Sequence, residues 1–261
     1  MNEIVIYTAI FNDYDTLKEP EFITDNCDYI CFTDNKTLKS KRWHIVVIDD
    51  NTISASLQNR RLKILGPYYE LKRYQYSLYT DGTILIKSDL STFLENYRNI
   101  CLVNFRHPRR SCIYSEFASC IAGGKGDPHK IILQCHDYSR ENMPYGFGLS
   151  DNKIIFRNHQ DQFVKKLMFE WWDEVVKYSG RDQTCLPFIL FKNGVSYSFF
   201  REELLDNEYF DIWPHRNEYL RHLYHKVKWI SRHYGIFVKQ LNFLDRKYKT
   251  RRAKKNKGSI V

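Results

Sequence analysis

The chain has 261 residues, of which 43% are hydrophobic, 27% charged and 16% aromatic; that is long enough for one large domain with a sizeable core, and it contains no apolar run of the eighteen or so residues that cross a bilayer. The net charge of +9 is unevenly spread: from Tyr219 onward 13 Lys/Arg face one acid, Asp245, while residues 1–218 carry 27 Lys/Arg against 30 Asp/Glu. A slightly acidic body with a basic tail argues against a nucleic-acid-binding domain, which needs its basic face on the folded body.

The opening segment, MNEIVIYTAI, lacks a basic leader and a cleavage site and reads directly as a strand. The seven cysteines are scattered, odd in number and not in a zinc pattern, which suits reduced, mostly buried thiols. A cytoplasmic protein is expected, free or peripheral on the inner face of a membrane.

Residues 4–10 form a continuous β-branched run, as in a strand buried on both faces, and end in the polar loop Phe11-Asn12-Asp13-Tyr14-Asp15. Residues 28–33 and 43–48 predict two further strands, each closing in acidic or amide-rich residues. Strand ends of this kind suggest an α/β sheet with one active edge. Residues 54–65 predict a helix capped by Ser54, with Arg60 and Lys63 one turn apart, stopped by Gly66-Pro67.

Residues 76–90, YSLYTDGTILIKSDL, then place Asp81-Gly82 between two apolar runs. Asp-Gly is a strong hairpin signal, and a strand that delivers one carboxylate to an exposed turn is also a way to present a metal ligand. Residues 91–97 predict a short helix, and residues 101–105 a strand running into His107-Pro108-Arg109-Arg110. Helices over residues 113–122 and 128–138 flank Gly123-Gly124-Lys125-Gly126, which lacks the spacing of a phosphate-binding loop.

A late strand over residues 153–156 delivers Arg157 and His159 to its end. The clearest helix spans residues 162–178, with Trp171 on its apolar face. Ser179-Gly180-Arg181-Asp182 has the spacing of a capping box opening the next helix. From residue 201 the chain changes character, and Leu220 to Leu244 hold helical spacing without an acid before Asp245. Two domains are expected: 1–200, and a basic α-helical extension over 201–261 that either lies on an anionic membrane face or docks on the body.

Several strings recur in order in one family: YTAIFNDYDTLKEP, CDYICFTDN, SLYTDGTILIKSDL, the His107/Arg110/Cys112/Tyr114/Glu116 cluster, Arg157-x-His159, Trp171-Trp172 and Ser179-x-Arg181-Asp182-Gln183. Over residues 1–200 the chain resembles the mucilage-related glycosyltransferase-like domain family of plants and bacteria. The resemblance implies an α/β, GT-A-like (Rossmann-like) mixed sheet flanked by helices that binds a nucleotide-sugar donor. It implies transfer of the sugar to a growing glycan or lipid-linked acceptor, assisted by a divalent metal, Mn²⁺ or Mg²⁺.

On that resemblance Asp81 is the metal ligand, although Thr83 stands where an Asp-x-Asp motif has its second acid. Asp89 or His159 would complete the site. His159 fits equally well in the first turn of the following helix, with Arg157 as a surface ion-pair partner. Asp182, flanked by Arg181 and Gln183, is the expected catalytic carboxylate, acting as general base or steadying the donor sugar; a capping box alone would also explain it. Thr8, Tyr14 and Asp34 are the expected base and ribose contacts, with Arg60, Lys63 and Arg157 toward the diphosphate. A non-catalytic nucleotide- or glycan-binding module, or a basic membrane- or nucleic-acid-binding protein acting through its tail, is the alternative.

Overall fold

A computed structural model of the chain describes residues 2–215; the basic helices expected beyond Tyr219 and the charged terminus lie outside them. Six strands form the main sheet: β1 (Ile4–Ile10), β2 (Cys27–Thr33), β3 (His44–Val47), β4 (Tyr76–Thr80), β6 (Leu102–Arg106) and β7 (Ser150–Asn158). They lie in the order β3-β2-β1-β4-β7-β6. Strand β1 pairs in parallel with both β2 and β4, and β2 in parallel with β3. Strand β7 runs antiparallel to both neighbours, β4 and β6.

Alternation along β1 divides the core between the two faces of the sheet. Val5, Tyr7 and Ala9 pack in one cluster with residues of α1 (Ala55–Leu65), α3 (Ile113–Ala122), α4 (Pro128–Arg140), α5 (Gln162–Lys177) and α6 (Asp182–Lys192). Ile6 packs in the second, with Phe93 and Leu94 of α2 (Ser91–Tyr97) and Phe210. The sheet is therefore a mixed layer flanked by helices, as expected. Trp171 is fully buried, and its indole donates to the Asp182 carbonyl at 2.9 Å, so α5 pins the start of α6.

The apolar runs on either side of Asp81-Gly82 do not form a hairpin. A turn is present, with the Ile84 amide donating to the Asp81 carbonyl at 2.8 Å. Beyond it the chain leaves the main sheet, and β5 (Ile84–Ile86) pairs antiparallel with β8 (Phe210–Ile212). That pairing carries the folded body past residue 200, and the compact unit runs to His215. No helix among the described residues is long and apolar enough to cross a membrane.

Candidate active site

The strand order reverses between β1 and β4, since β1 leads to β2 on one side and is joined by β4 on the other. In open α/β sheets the crevice beyond the strand ends at such a point is where ligands bind. A cleft of about 670 Å³ lies at this edge. It is lined by the loop after β1, the Asp81 turn after β4, one face of α1, the Gly124-Lys125 loop after α3, the start of β7, the Arg181-Asp182-Gln183 segment and His215. Of the residues singled out in the sequence, the cleft gathers Tyr14, Arg60, Lys63, Asp81, Arg181, Asp182 and Gln183.

Asp81 sits half-buried at the tip of β4, where its Oδ1 accepts from the Thr83 amide at 3.2 Å and the Thr83 hydroxyl at 3.0 Å. Thr83 thus orients the carboxylate rather than replacing a second ligand. Neighbouring Gly82 lets the turn close on Asp15: a Cβ at Gly82 would lie 2.9 Å from Asp15 Cβ and 3.1 Å from its Oδ2. Asp15 Oδ1 in turn lies 2.8 Å from His215 Nδ1. That hydrogen bond, with the charges of Asp15 and Asp81, raises the imidazole pKa above its ordinary value. Asp15 and His215 were not singled out in the sequence: Asp15 is one of several polar loop residues, and nothing in the sequence around His215 marks it.

Asp182 does not belong to a capping box. The helix N-cap is Arg181, which makes no side-chain capping bond, and the Ser179 hydroxyl faces Gln134 Oε1 at 3.4 Å. The Asp182 carboxylate turns inward, with Oδ2 at 2.5 Å from Lys63 Nζ and Oδ1 at 3.8 Å from Arg60 Nε. Burial would raise its pKa, but Lys63 and then Arg60 outweigh burial and hold it well below the usual carboxylate range. Lys63 also stands 5.1 Å from the centre of the Tyr79 ring, a cation–π contact. A carboxylate so neutralised stays ionised, accepts hydrogen bonds well and takes up a proton poorly. Beside it Gln183 Nε2 donates to the Ser150 carbonyl at 3.0 Å, tying α6 to the start of β7.

His159 and Arg157 are not at this edge. Because β7 is antiparallel, it presents its beginning here, as Asp151, Asn152 and Lys153, and carries its end to the opposite edge. The Asp81 amide donates to the Lys153 carbonyl, whereas the His159 amide donates to the carbonyl of Gln75, just before β4. His159 is buried edge-on against Tyr68, and burial with the nearby Arg157 charge lowers its pKa to about 4. Arg157 is fully buried and donates to the carbonyls of Lys63 and Ile64 and to the Tyr7 hydroxyl, so it braces the C-terminal end of α1.

Two other expected contacts are also placed differently. Thr8 is buried inside β1, paired with Cys31, and does not reach the cleft. Asp34 lies at the correct edge, but both its oxygens accept from the Asn12 amide, and it shapes the loop after β1. Arg60 and Lys63 meet Asp182 instead of standing free. Asp89 binds the Ser91 amide and hydroxyl at the start of α2.

Among the described residues no three His, Cys, Asp or Glu side chains gather as a metal cage. Mg²⁺ sites commonly need less from the protein: one or two carboxylates, with substrate phosphates and water completing the shell. Asp81, with one carboxylate oxygen outside the Thr83 bonds and Asp15 beyond Gly82, fits that pattern.

Comparison with known proteins bears on this geometry. Residues 1–212 match the TOD1/MUCI70 glycosyltransferase-like domain. The chain belongs to that family. The matched span runs from the first strand through β8, and so contains every cleft residue discussed above except His215. A curated relative, alkaline ceramidase TOD1 of Arabidopsis thaliana, is 22% identical over 224 residues, covering 71% of this chain and 48% of the relative. The chain thus spans about half the length of that relative.

Proposed function

We propose that this glycosyltransferase-like domain is a metal-assisted glycosyltransferase that moves a sugar from a nucleotide-sugar donor to a growing cell-surface or secretory glycan. The observation that carries this reading is the meeting, in one cleft at the β1/β4 switch point, of the Asp81 turn with the Asp182–Lys63–Arg60 cluster. Asp81, aided by Asp15, would hold a divalent cation, Mn²⁺ or Mg²⁺, which neutralises charge on the departing diphosphate. Tyr14 and the loop after β1 line the cleft and would meet the nucleotide.

In the transfer, the bond from the anomeric carbon to the diphosphate oxygen breaks with its electron pair staying on the diphosphate. A bond to the acceptor oxygen forms, and that hydroxyl's proton passes to an oxygen of the departing diphosphate. Asp182 serves this step as an ionised acceptor of donor-sugar hydroxyl hydrogen bonds. Its pairing with Lys63 favours that role over general base, which needs a pKa nearer the working pH. The reaction would take place on the cytoplasmic side, with the basic segment beyond residue 215 near an anionic membrane face.

The test is release of nucleoside diphosphate from a panel of nucleotide sugars, with and without Mn²⁺. Metal-dependent release, reduced at least about 100-fold in Asp81→Asn, supports the transferase. No turnover, with nucleoside diphosphates still binding, supports a non-catalytic module. Fatty-acid release from ceramide, assayed in parallel, examines the activity named for the plant relative.

A further inference from the structure

A second groove, of about 400 Å³, opens on the far side of Arg60 and Arg181 from the Asp81 turn. Ser56, Arg60 and Arg181 line both spaces and form the wall between them, and Asp182 stands behind that wall. The second groove has three cations, Arg60, Lys130 and Arg181, and one acid, Asp127. Asp127 is engaged in capping α4, where it accepts from the His129 amide at 2.9 Å. Arg60 is partly balanced by Asp182 at 3.8 Å and its Nη1 donates to the Ser56 carbonyl at 2.8 Å, while Arg181 approaches Glu116 only at 4.0 Å. The Nε atoms of both arginines are buried without a hydrogen-bond partner.

Two further features suit this groove to an anion of several oxygens. The first turns of both α1, at Ser54 and Ser56, and α4, at Asp127, border it; the Asp127 carboxylate offsets the positive end of α4, so the N-terminus of α1 supplies the helix potential. Gly126 and Gly180, both at positive φ, at +99° and +71°, line the groove without side chains. At Gly126 a Cβ would stand 3.8 Å from both the Arg181 stem and Ser179 Cβ. Two guanidinium groups and an ammonium spread over three elements can share the oxygens of one phosphate. A carboxylate has only two oxygens and satisfies a single fork.

We propose that this groove is the acceptor subsite and that it takes a sugar acceptor bearing a phosphoryl group, whose reacting hydroxyl is directed past Arg60 and Arg181 toward Asp182. The inference rests on the transferase reading for the word acceptor, while the phosphate site itself stands on the groove. Lys130 belongs to this groove and not to the donor cleft.

The experiment is calorimetric titration of the full chain, at fixed ionic strength, with glucose 1-phosphate, its decyl phosphodiester, glucuronate and glucose, each with and without saturating UDP or GDP. The expected result is binding of at least one phosphoryl ligand about ten-fold or more tighter than glucuronate and glucose. Binding should persist beside the nucleotide and weaken at least ten-fold in Lys130→Glu and measurably in Lys130→Ala, with nucleotide affinity unchanged. Preference for the diester identifies a lipid-linked acceptor, and preference for the monoester a soluble one. Equal binding of glucuronate or glucose, displacement by the nucleotide, or insensitivity to Lys130 overturns the proposal. If neither nucleotide binds but the Lys130-dependent phosphoryl site does, the transferase reading fails and the phosphate site survives.

Discussion

Lys63 Nζ and Asp182 Oδ2 lie 2.5 Å apart across 119 residues of sequence, and both side chains are largely buried. The pair joins α1 to the start of α6 at the centre of the cleft, and it decides what Asp182 can do. A buried pair is not by itself strongly stabilising, but breaking it leaves an uncompensated charge. Lys63→Met should therefore cost about 3–5 kcal/mol in chemical denaturation. The double variant Lys63→Met with Asp182→Asn should recover a large part of that loss. Additive effects in the cycle would show that the two groups do not interact.

Arg157, which the sequence placed near the diphosphate, is predicted to act through folding. Its guanidinium reaches the Lys63 carbonyl at 2.5 Å, the Tyr7 hydroxyl at 2.7 Å and the Ile64 carbonyl at 3.2 Å. Arg157→Met removes the donor to the Ile64 carbonyl and the Tyr7 hydroxyl and one of two donors to the Lys63 carbonyl, which keeps the Tyr7 hydroxyl, and should cost about 3 kcal/mol, lowering Tm by roughly 6–12 °C. Arg157→Lys should rescue little, since one ammonium cannot span the three acceptors. Nucleoside-diphosphate affinity, measured well below the lowered Tm, should stay at the wild-type value.

His159 supplies a pH dependence of stability whose sign can be worked out. In the folded chain the imidazole stays neutral down to about pH 4, whereas its ordinary value is 6.5. As pH falls from about 6.5 toward 4, the unfolded chain takes up a proton that the folded chain refuses, so stability falls across that window. The full loss is on the order of 3 kcal/mol. His159→Phe should flatten this limb and leave metal dependence intact. An unchanged acid limb in that variant would assign the loss to other groups.

Gly82 tests the supporting geometry of the turn. Gly82→Ala places a methyl group against Asp15 and Ile10, within 3.1 Å of the Ile10 side chain. Overpacking of this kind costs roughly 1–3 kcal/mol. Displacement of Asp15 should also lower Mn²⁺-dependent nucleotide affinity several-fold. If affinity were kept while stability fell, Asp15 would have no part in the metal site.

The sequence carried the element list well, because β-branched runs and helical periodicity report burial directly. The Ile4–Ile10 and Gln162–Lys177 elements and the Ser54 cap are examples. Pairing was less legible. The Asp-Gly turn looks the same whether its flanking strands pair together or join different sheets, and β8, only three residues long, has no pattern of its own. The direction of β7 mattered most. A strand's periodicity does not state whether it runs parallel or antiparallel, and that one sign moved Arg157 and His159 to the opposite edge and brought Asp151–Lys153 to the cleft. Likewise, Ser-x-x-Asp spacing cannot distinguish a capping acid from one turned inward to a lysine far away in sequence.

The proposed transfer requires that the cleft bind a nucleoside diphosphate through a metal held at Asp81. Its most direct test is calorimetric titration of UDP and GDP into the full chain, with Mn²⁺ present or absent, for wild type and Asp81→Asn. Mn²⁺ should tighten binding of one nucleotide at least about ten-fold, or 1.4 kcal/mol, and Asp81→Asn should remove the gain while the protein stays folded. Nucleotide affinity indifferent to both Mn²⁺ and Asp81 would contradict it.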